Sequence, residues 1–303
     1  MEIVSFDIQG TSYVTKLDEN GQVVLNEKGK PVKEVRYETF LRLAQLLAGN
    51  NPIVINTTAL GGSKTLNSFL NEFTSFYMKE KGNLANPELF RYKLNQLCYM
   101  SCFRGGEVSK LVMDENGVIG REVLRERTLN GKEIKQMHEI LQVEAPGILA
   151  PVVRGIHGTE KIKPIKAEML EDDYVGNCGI FILNTENDSP EQIVEKQNKV
   201  VGLIDKSTNM ELAVAPEPDS IIVCPKGNTK ELGLQIAREC IEKDFPDKKI
   251  EKVVHIGDDV KEDAIESDAA ETLFVTKDKN MNEYLADLKK ERDKNPSGPE
   301  LGM

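Results

Sequence analysis

No apolar run in the 303-residue chain approaches the ~20 residues of a membrane span, so no membrane partner is expected. The first residues read as a strand, not as a basic segment followed by a long apolar one, so no secretory leader is expected either. Positive charge is in deficit: 39 Lys and Arg face 50 Asp and Glu, a net charge of −11. That balance disfavours a nucleic-acid partner, which needs a basic surface. It still allows a small anionic substrate, which needs only a locally positive pocket. Cysteines are few, odd in number and irregularly spaced: Cys98, Cys102, Cys178, Cys224 and Cys240. Cys98 and Cys102 stand one helical turn apart, but zinc would need two more ligands, and the only imidazoles are His138, His157 and His255. Reduced, buried thiols in a cytoplasmic protein are the expectation. No internal repeat is visible.

What is present describes a globular protein, with 39% hydrophobic and 29% charged residues, long enough for one large domain or two ordinary ones. Ile3, Val4 and Phe6 form a short buried-strand pattern that stops at Asp7, with Gly10-Thr11 as a turn signal. Residues 13–35 read as a hairpin or flap, turning at Glu19-Asn20-Gly21 and Gly29-Lys30-Pro31. An apolar helical face over 37–49 ends at Gly49-Asn50-Asn51-Pro52, and Ile53-Val54-Ile55 is the next buried strand. Strand, helix and strand in this order predict a parallel α/β unit.

The middle is less regular. A helix is expected over 87–102, a hairpin around Asp114-Glu115-Asn116-Gly117, and a short helix from Asn130-Gly131-Lys132 to Leu141. Strands are expected at 162–167 and 178–183, and a helix opens at Ser189-Pro190-Glu191. The α/β pattern resumes with strands at 220–224, 253–256 and 273–275 and helices over 232–241 and 281–294. The expected fold class is therefore α/β, a Rossmann-like parallel sheet core with a large inserted α/β cap domain. The expected division is a discontinuous core of 1–79 and 218–294, a cap of 80–217, and a disordered tail of 295–303.

An acidic side chain just past a parallel strand lies where open α/β sheets bind ligands. Asp7 occupies such a place, and so does Asp258 after Val253-Val254-His255-Ile256-Gly257. A nucleotide P-loop after the second strand is ruled out, because Lys64 is preceded by Ser63, not Gly, and the earlier glycine position holds Thr58. His255 lies inside an apolar strand and reads as a buried histidine.

Four stretches in order resemble the motifs of the haloacid dehalogenase (HAD) phosphohydrolase superfamily, in its large-capped, Cof/sugar-phosphatase-like branch. They are Asp7-Ile8-Gln9-Gly10-Thr11, the strand ending at Thr57-Thr58, Gly227-Asn228-Thr229-Lys230-Glu231, and Gly257-Asp258-Asp259 with Glu262-Asp263 a turn later. They cover roughly 1–60 and 218–278, and the expected cap carries no motif of the family. The resemblance implies a Mg²⁺-dependent hydrolase or phosphotransferase acting on a small phosphorylated metabolite, such as a phosphosugar, through an aspartyl phosphate. It implies Asp7 as nucleophile, and as metal ligands Asp7, the backbone carbonyl of Gln9, Asp258, and Glu262 or Asp263 through water. Thr57, or Thr58 in its place, and Lys230 would bind the phosphoryl group. One position departs: Gln9 stands where the family has an Asp that protonates the leaving oxygen, and an amide transfers no proton at neutral pH. Three consequences stay open: a substrate with a good leaving group, an accumulating phosphoenzyme resembling the P-type ATPases, or a site kept only for binding. The rival reading is accordingly a catalytically silent scaffold that binds a protein or ligand through its cap.

Overall fold

The computed structural model describes the chain apart from residues 9–10, 28, 30, 58–63, 85, 103, 127–128, 155–174, 177–178, 186–187, 208–211, 218–219, 261–262, 266–269, 277–278 and 295–303. Three expectations lie outside the described residues: the strand at 162–167, the tail 295–303, and the positions of Gln9, Thr58 and Glu262.

The chain opens with β1 (Glu2–Phe6), a hairpin of β2 (Tyr13–Thr15) and β3 (Lys33–Val35), α1 (Tyr37–Ala48), β4 (Ile53–Asn56) and α2 (Lys64–Glu80). Then come α3 (Pro87–Leu97), β5 (Cys98–Cys102), β6 (Glu107–Met113) and β7 (Ile119–Glu126). A second group follows: β8 (Leu129–Asn130), α4 (Gly131–Glu144), β9 (Leu149–Arg154), β10 (Val175–Gly176), β11 (Gly179–Leu183), α5 (Pro190–Ser207), β12 (Leu212–Glu217) and β13 (Ser220–Pro225). The last elements are α6 (Lys230–Asp244), β14 (Lys252–Gly257), β15 (Glu271–Phe274) and α7 (Met281–Lys294). Among the described residues no helix is long and apolar enough to cross a membrane.

The large sheet has seven strands in the order β15-β14-β1-β4-β5-β6-β7. Strands β15 to β5 are parallel, and β6 and β7 add as antiparallel strands. From β1 the chain builds one way through β4 and β5 and later returns to build the other way through β14 and β15. β1 and β14 therefore flank the topological switch point, whose carboxyl edge is the ligand-binding crevice of open α/β sheets.

Side chains alternate across this sheet with period two. One face holds Val4, Phe6, Ile53, Ile55, Cys98, Met100, Val254 and Ile256, packed with α1, α2, α3 and α7 around Phe40, Phe69 and Phe73. The other face lies under α6. Its amino-terminal half is apolar, with Ile3, Val54, Tyr99 and Val253 against Leu234, Ala237 and Ile241. Its carboxyl half carries Ser5, Asn56, Ser101 and His255, all buried. A buried polar layer thus lies directly below the crevice.

A separate four-stranded antiparallel sheet, β12-β13-β11-β9, packs with α4 and α5 around its own core of Ile134, Leu141, Phe181, Val200, Ile204 and Val223. The start of α5 is a reciprocal cap: the Gln192 side chain accepts from Ser189 N–H, and Gln192 N–H reaches back to the Ser189 hydroxyl.

Sheet membership corrects the expected architecture in three places. The strand at 220–224 belongs to the small sheet, because β13 pairs with β11 and β12. The hairpin of β6 and β7, expected in the cap, extends the large sheet. The helix expected over 87–102 stops at Leu97, and Cys98–Cys102 is a fully buried central strand. No turn separates the two: Cys98 is both the C-cap of α3, with extended backbone, and the first residue of β5. Cys98 and Cys102 therefore do not share a helical turn, and both are free thiols.

Candidate active site

The predicted residues Asp7, Thr57, Lys230 and Asp258 are delivered by strand ends or a helix start, and Asp263 by the loop after β14. Asp7 follows β1, and its N–H donates to the carbonyl of Ile256 on β14 at 3.0 Å. Thr57 follows β4 and is tied by its N–H to the carbonyl of Ser101 at 2.8 Å. Lys230 is the first residue of α6, whose N-cap Thr229 accepts from Leu232 N–H at 3.0 Å. Asn56 donates its amide to the Lys230 carbonyl at 2.8 Å, joining the end of β4 to the first turn of α6. A tight backbone contact sets the height of that helix. A Cβ on Gly233 would lie 1.9 Å from Ser101 Oγ, and one on Gly105 would lie 2.7 Å from the Thr229 carbonyl oxygen.

The four segments converge. Lys230 Nζ lies 3.5 Å from Asp7 Oδ1 and pairs closely with Asp263. Asp263 is almost fully committed, since its second oxygen accepts from the N–H groups of Asp258 and Asp259 at 2.9 and 3.0 Å. Those bonds fold the loop after β14 back on itself, and Gly257 makes room, because a Cβ there would lie 2.3 Å from that of Asp263. Asp258 stays at the solvent edge and accepts from the Thr11 hydroxyl at 3.1 Å.

The electrostatics separate the three acids. Burial pushes the Asp7 carboxyl up to about 7. The Lys230 charge, the Ile8 N–H and the Thr57 hydroxyl pull it down, while Asp263 adds to the rise. Burial also acts to raise Asp263, but His255, Lys230 and the Asp259 N–H outweigh it and hold that group well below the usual carboxylate range. Asp258 is raised, chiefly by partial burial.

The donor set fits a hard divalent cation. Asp7, Asp258 and Asp263 each offer an oxygen, all within 4.8 Å of one another, and Asp7 Oδ1 is buried without a hydrogen-bond donor. Mg²⁺ favours such carboxylate and water ligands. Asp7 and Asp258 have free coordinating capacity, and Asp263 is spent on the loop and Lys230.

No protein-family model and no curated protein matches the sequence. Solved structures do match in shape. A haloacid dehalogenase-like hydrolase from Bacteroides thetaiotaomicron superposes with a TM-score of 0.53 at 12% identity, over 95% of this chain and 99% of that one. The fold is that of the HAD-like hydrolases. Two further structures that superpose are TM0651 from Thermotoga maritima and IMP-bound, N-terminally truncated IMP-nucleotidase from Plasmodium falciparum. The first has a TM-score of 0.51 at 14% identity, over 94% of this chain and 96% of that one. The second has a TM-score of 0.51 at 14% identity, over 95% of this chain and 67% of that one.

Reading the sequence alone misses the layer beneath this crevice: Ser5, Asn56 and Ser101 do not stand out, and His255 is seen only as a buried ring. The available signal is their register. Each interrupts an apolar strand near its carboxyl end, on the face opposite Phe6 and Ile256.

Proposed function

We propose that the chain is a phosphohydrolase or phosphotransferase for a small phosphorylated metabolite, acting through covalent phosphorylation of Asp7. The observation that carries this reading is the meeting of Asp7, Thr57, Lys230 and the Asp258–Asp263 loop at the carboxyl edge of β1, β4 and β14. The IMP-nucleotidase among the structural relatives was solved with a phosphate monoester, IMP, bound.

In this reading Asp7 attacks phosphorus with a carboxylate oxygen, the P–O bond to the leaving group breaks, and that oxygen departs with the electron pair. Asp7 must be ionised to attack, and a carboxyl held near 7 is poised to lose its proton when positive charge arrives. Lys230 places its ammonium against the transferring phosphoryl oxygens, and the Thr57 hydroxyl donates to them. Asp263 keeps Lys230 and the Asp258 loop in place. Mg²⁺, held by Asp7 and Asp258, would supply further charge neutralisation. An amide at position 9 can hydrogen-bond but moves no proton, so departure of the leaving group and hydrolysis of the aspartyl phosphate proceed without a side-chain acid or base at that position.

The sheet memberships support an inserted cap of about 129–225, in place of 80–217, with its own core and with substrate selection as its role. The test is turnover of an aryl phosphate and a phosphosugar panel with Mg²⁺, combined with acid quenching to trap phosphoprotein. Activity or an acid-stable, base-labile phosphoryl label that vanishes in Asp7→Ala supports the enzyme. Neither signal with any substrate favours the rival reading, a silent scaffold, for which Gln9 is the specific observation.

A further inference from the structure

Ser5 on β1 and His255 on β14 are direct register partners, and both are fully buried. His255 Nδ1 lies 3.0 Å from Ser5 Oγ, and Nε2 lies 3.8 Å from Asp263 Oδ1. A neutral ring carries one N–H, and its two nitrogens face a hydroxyl on one side and a carboxylate on the other.

Two tautomers are available, and the surroundings distinguish them. A proton on Nδ1 would point at Ser5 and leave a bare Nε2 lone pair facing a carboxylate, which repels it. A proton on Nε2 points a donor dipole at Asp263, while the Ser5 hydroxyl donates to Nδ1. Only the second arrangement is favourable on both sides of the ring. The 3.8 Å separation is that of an oriented charge–dipole contact rather than a short hydrogen bond.

We infer that His255 is a positioning residue: locked as the Nε2–H tautomer by Ser5, it orients Asp263, which in turn holds Lys230 beside Asp7. The order of action runs from the strand pair to the reacting group: Ser5, His255, Asp263, Lys230, Asp7. The inference rests on the proposed function for its kinetic consequence, but its structural core stands apart from it. Asp263 has one oxygen committed to the Asp258 and Asp259 amides, so the direction of the other decides where the lysine ammonium sits. His255 Nε2 lies 3.8 Å from that other oxygen.

The experiment uses the full-length protein and three variants: His255→Gln, which keeps an N–H donor, His255→Leu, which removes it, and Ser5→Ala. Nitrogen-15 NMR of the wild-type imidazoles at pH 7 should show His255 protonated at Nε2 alone, with increased Nδ1 protonation in Ser5→Ala. The Lys230 ammonium should give a slowly exchanging signal in the wild type and in His255→Gln, and lose it in His255→Leu. Formation of phosphorylated Asp7 from an aryl phosphate should slow about tenfold in His255→Leu at nearly unchanged KM, the equivalent of about 1.4 kcal/mol, and recover in His255→Gln. An Nδ1–H tautomer or an imidazolium in the wild type overturns the inference. So does an unchanged Lys230 signal in His255→Leu, and so does equal impairment by Gln and Leu, which would mark a packing role. If the wild type forms no phosphoprotein, the functional reading fails, while the two NMR measurements still decide this one.

Discussion

The ammonium of Lys230 sits 3.5 Å from Asp7 Oδ1 and also meets Asp263, so one buried cation bridges two buried carboxylates. Removing it strands the Asp263 charge in the interior and takes from Asp7 the cation that favours its ionised form. Lys230→Met should therefore destabilise the protein by about 3–5 kcal/mol, the range for breaking a buried pair from one side. Urea unfolding at pH 7 measures this directly. A loss below about 1 kcal/mol would show that water already screens the cluster.

Asp7 makes the stability of the metal-free protein depend on pH with an unusual sign. Its folded carboxyl is raised to about 7 from an ordinary value of 3.8. Between those values the folded state holds a proton that the unfolded state has released, so stability falls as pH rises through the window. Asp263 has the opposite shift and contributes its stability above 3.8, losing it only in stronger acid. Asp7→Asn should therefore raise the metal-free melting temperature at pH 7.5 and flatten its slope between pH 4 and 7. Equal slopes in the two proteins would place the Asp7 carboxylate in water.

Much of this arrangement was legible in the sequence, for identifiable reasons. Asp7, Asp258 and Lys230 each follow a signal that local chemistry imposes: the end of an apolar strand, a glycine turn, or a threonine cap. The flap was legible too, because Gly21 and Gly29 adopt positive φ at its turns. β5 was not, because Cys-Tyr-Met-Ser-Cys continues α3 without a breaking residue, and a strand buried on both faces shows no alternation. The membership of β13 was hidden for a different reason. Ile221, Val223 and Cys224 say that the segment is buried, not which sheet it joins, and only pairing with β11 and β12 decides that. The layer of Ser5, Asn56, Ser101 and His255 required the register of four strands distant in sequence.

Gly257 tests whether the loop geometry matters as much as its charges. A methyl group at this position would overlap Asp263, with 2.3 Å between the two Cβ atoms and 2.4 Å to the carboxylate. The carboxylate is anchored on the Asp258 and Asp259 amides and on Lys230, so it cannot swing aside without breaking them. Gly257→Ala should cost about 1–3 kcal/mol, as overpacking does, and lower phosphoryl transfer. Denaturant titration alongside the acid-quench assay checks both. Wild-type stability and transfer in Gly257→Ala would mean that the loop relaxes freely and that Asp263 does not fix it.

Gln9 offers the sharpest chemical test, because it changes one functional group and leaves the surrounding motifs alone. An amide there can orient a leaving group or a water molecule but cannot exchange a proton with it. Phosphorylation of Asp7 by an aryl phosphate, whose leaving group needs little protonation, should proceed in the wild type. Breakdown of the aspartyl phosphate, which needs an activated water, should be slow. Gln9→Asp supplies the missing acid and base, and general acid–base catalysis contributes roughly 10²–10⁴-fold. The variant should therefore hydrolyse at least ~10²-fold faster and hold a smaller steady-state phosphoenzyme fraction under the same conditions. Rapid-quench time courses separate the two half-reactions. A Gln9→Asp variant that folds like the wild type yet gains neither hydrolysis nor phosphoenzyme turnover would show that residue 9 does not face the reacting phosphorus, and would move the chemistry away from Asp7.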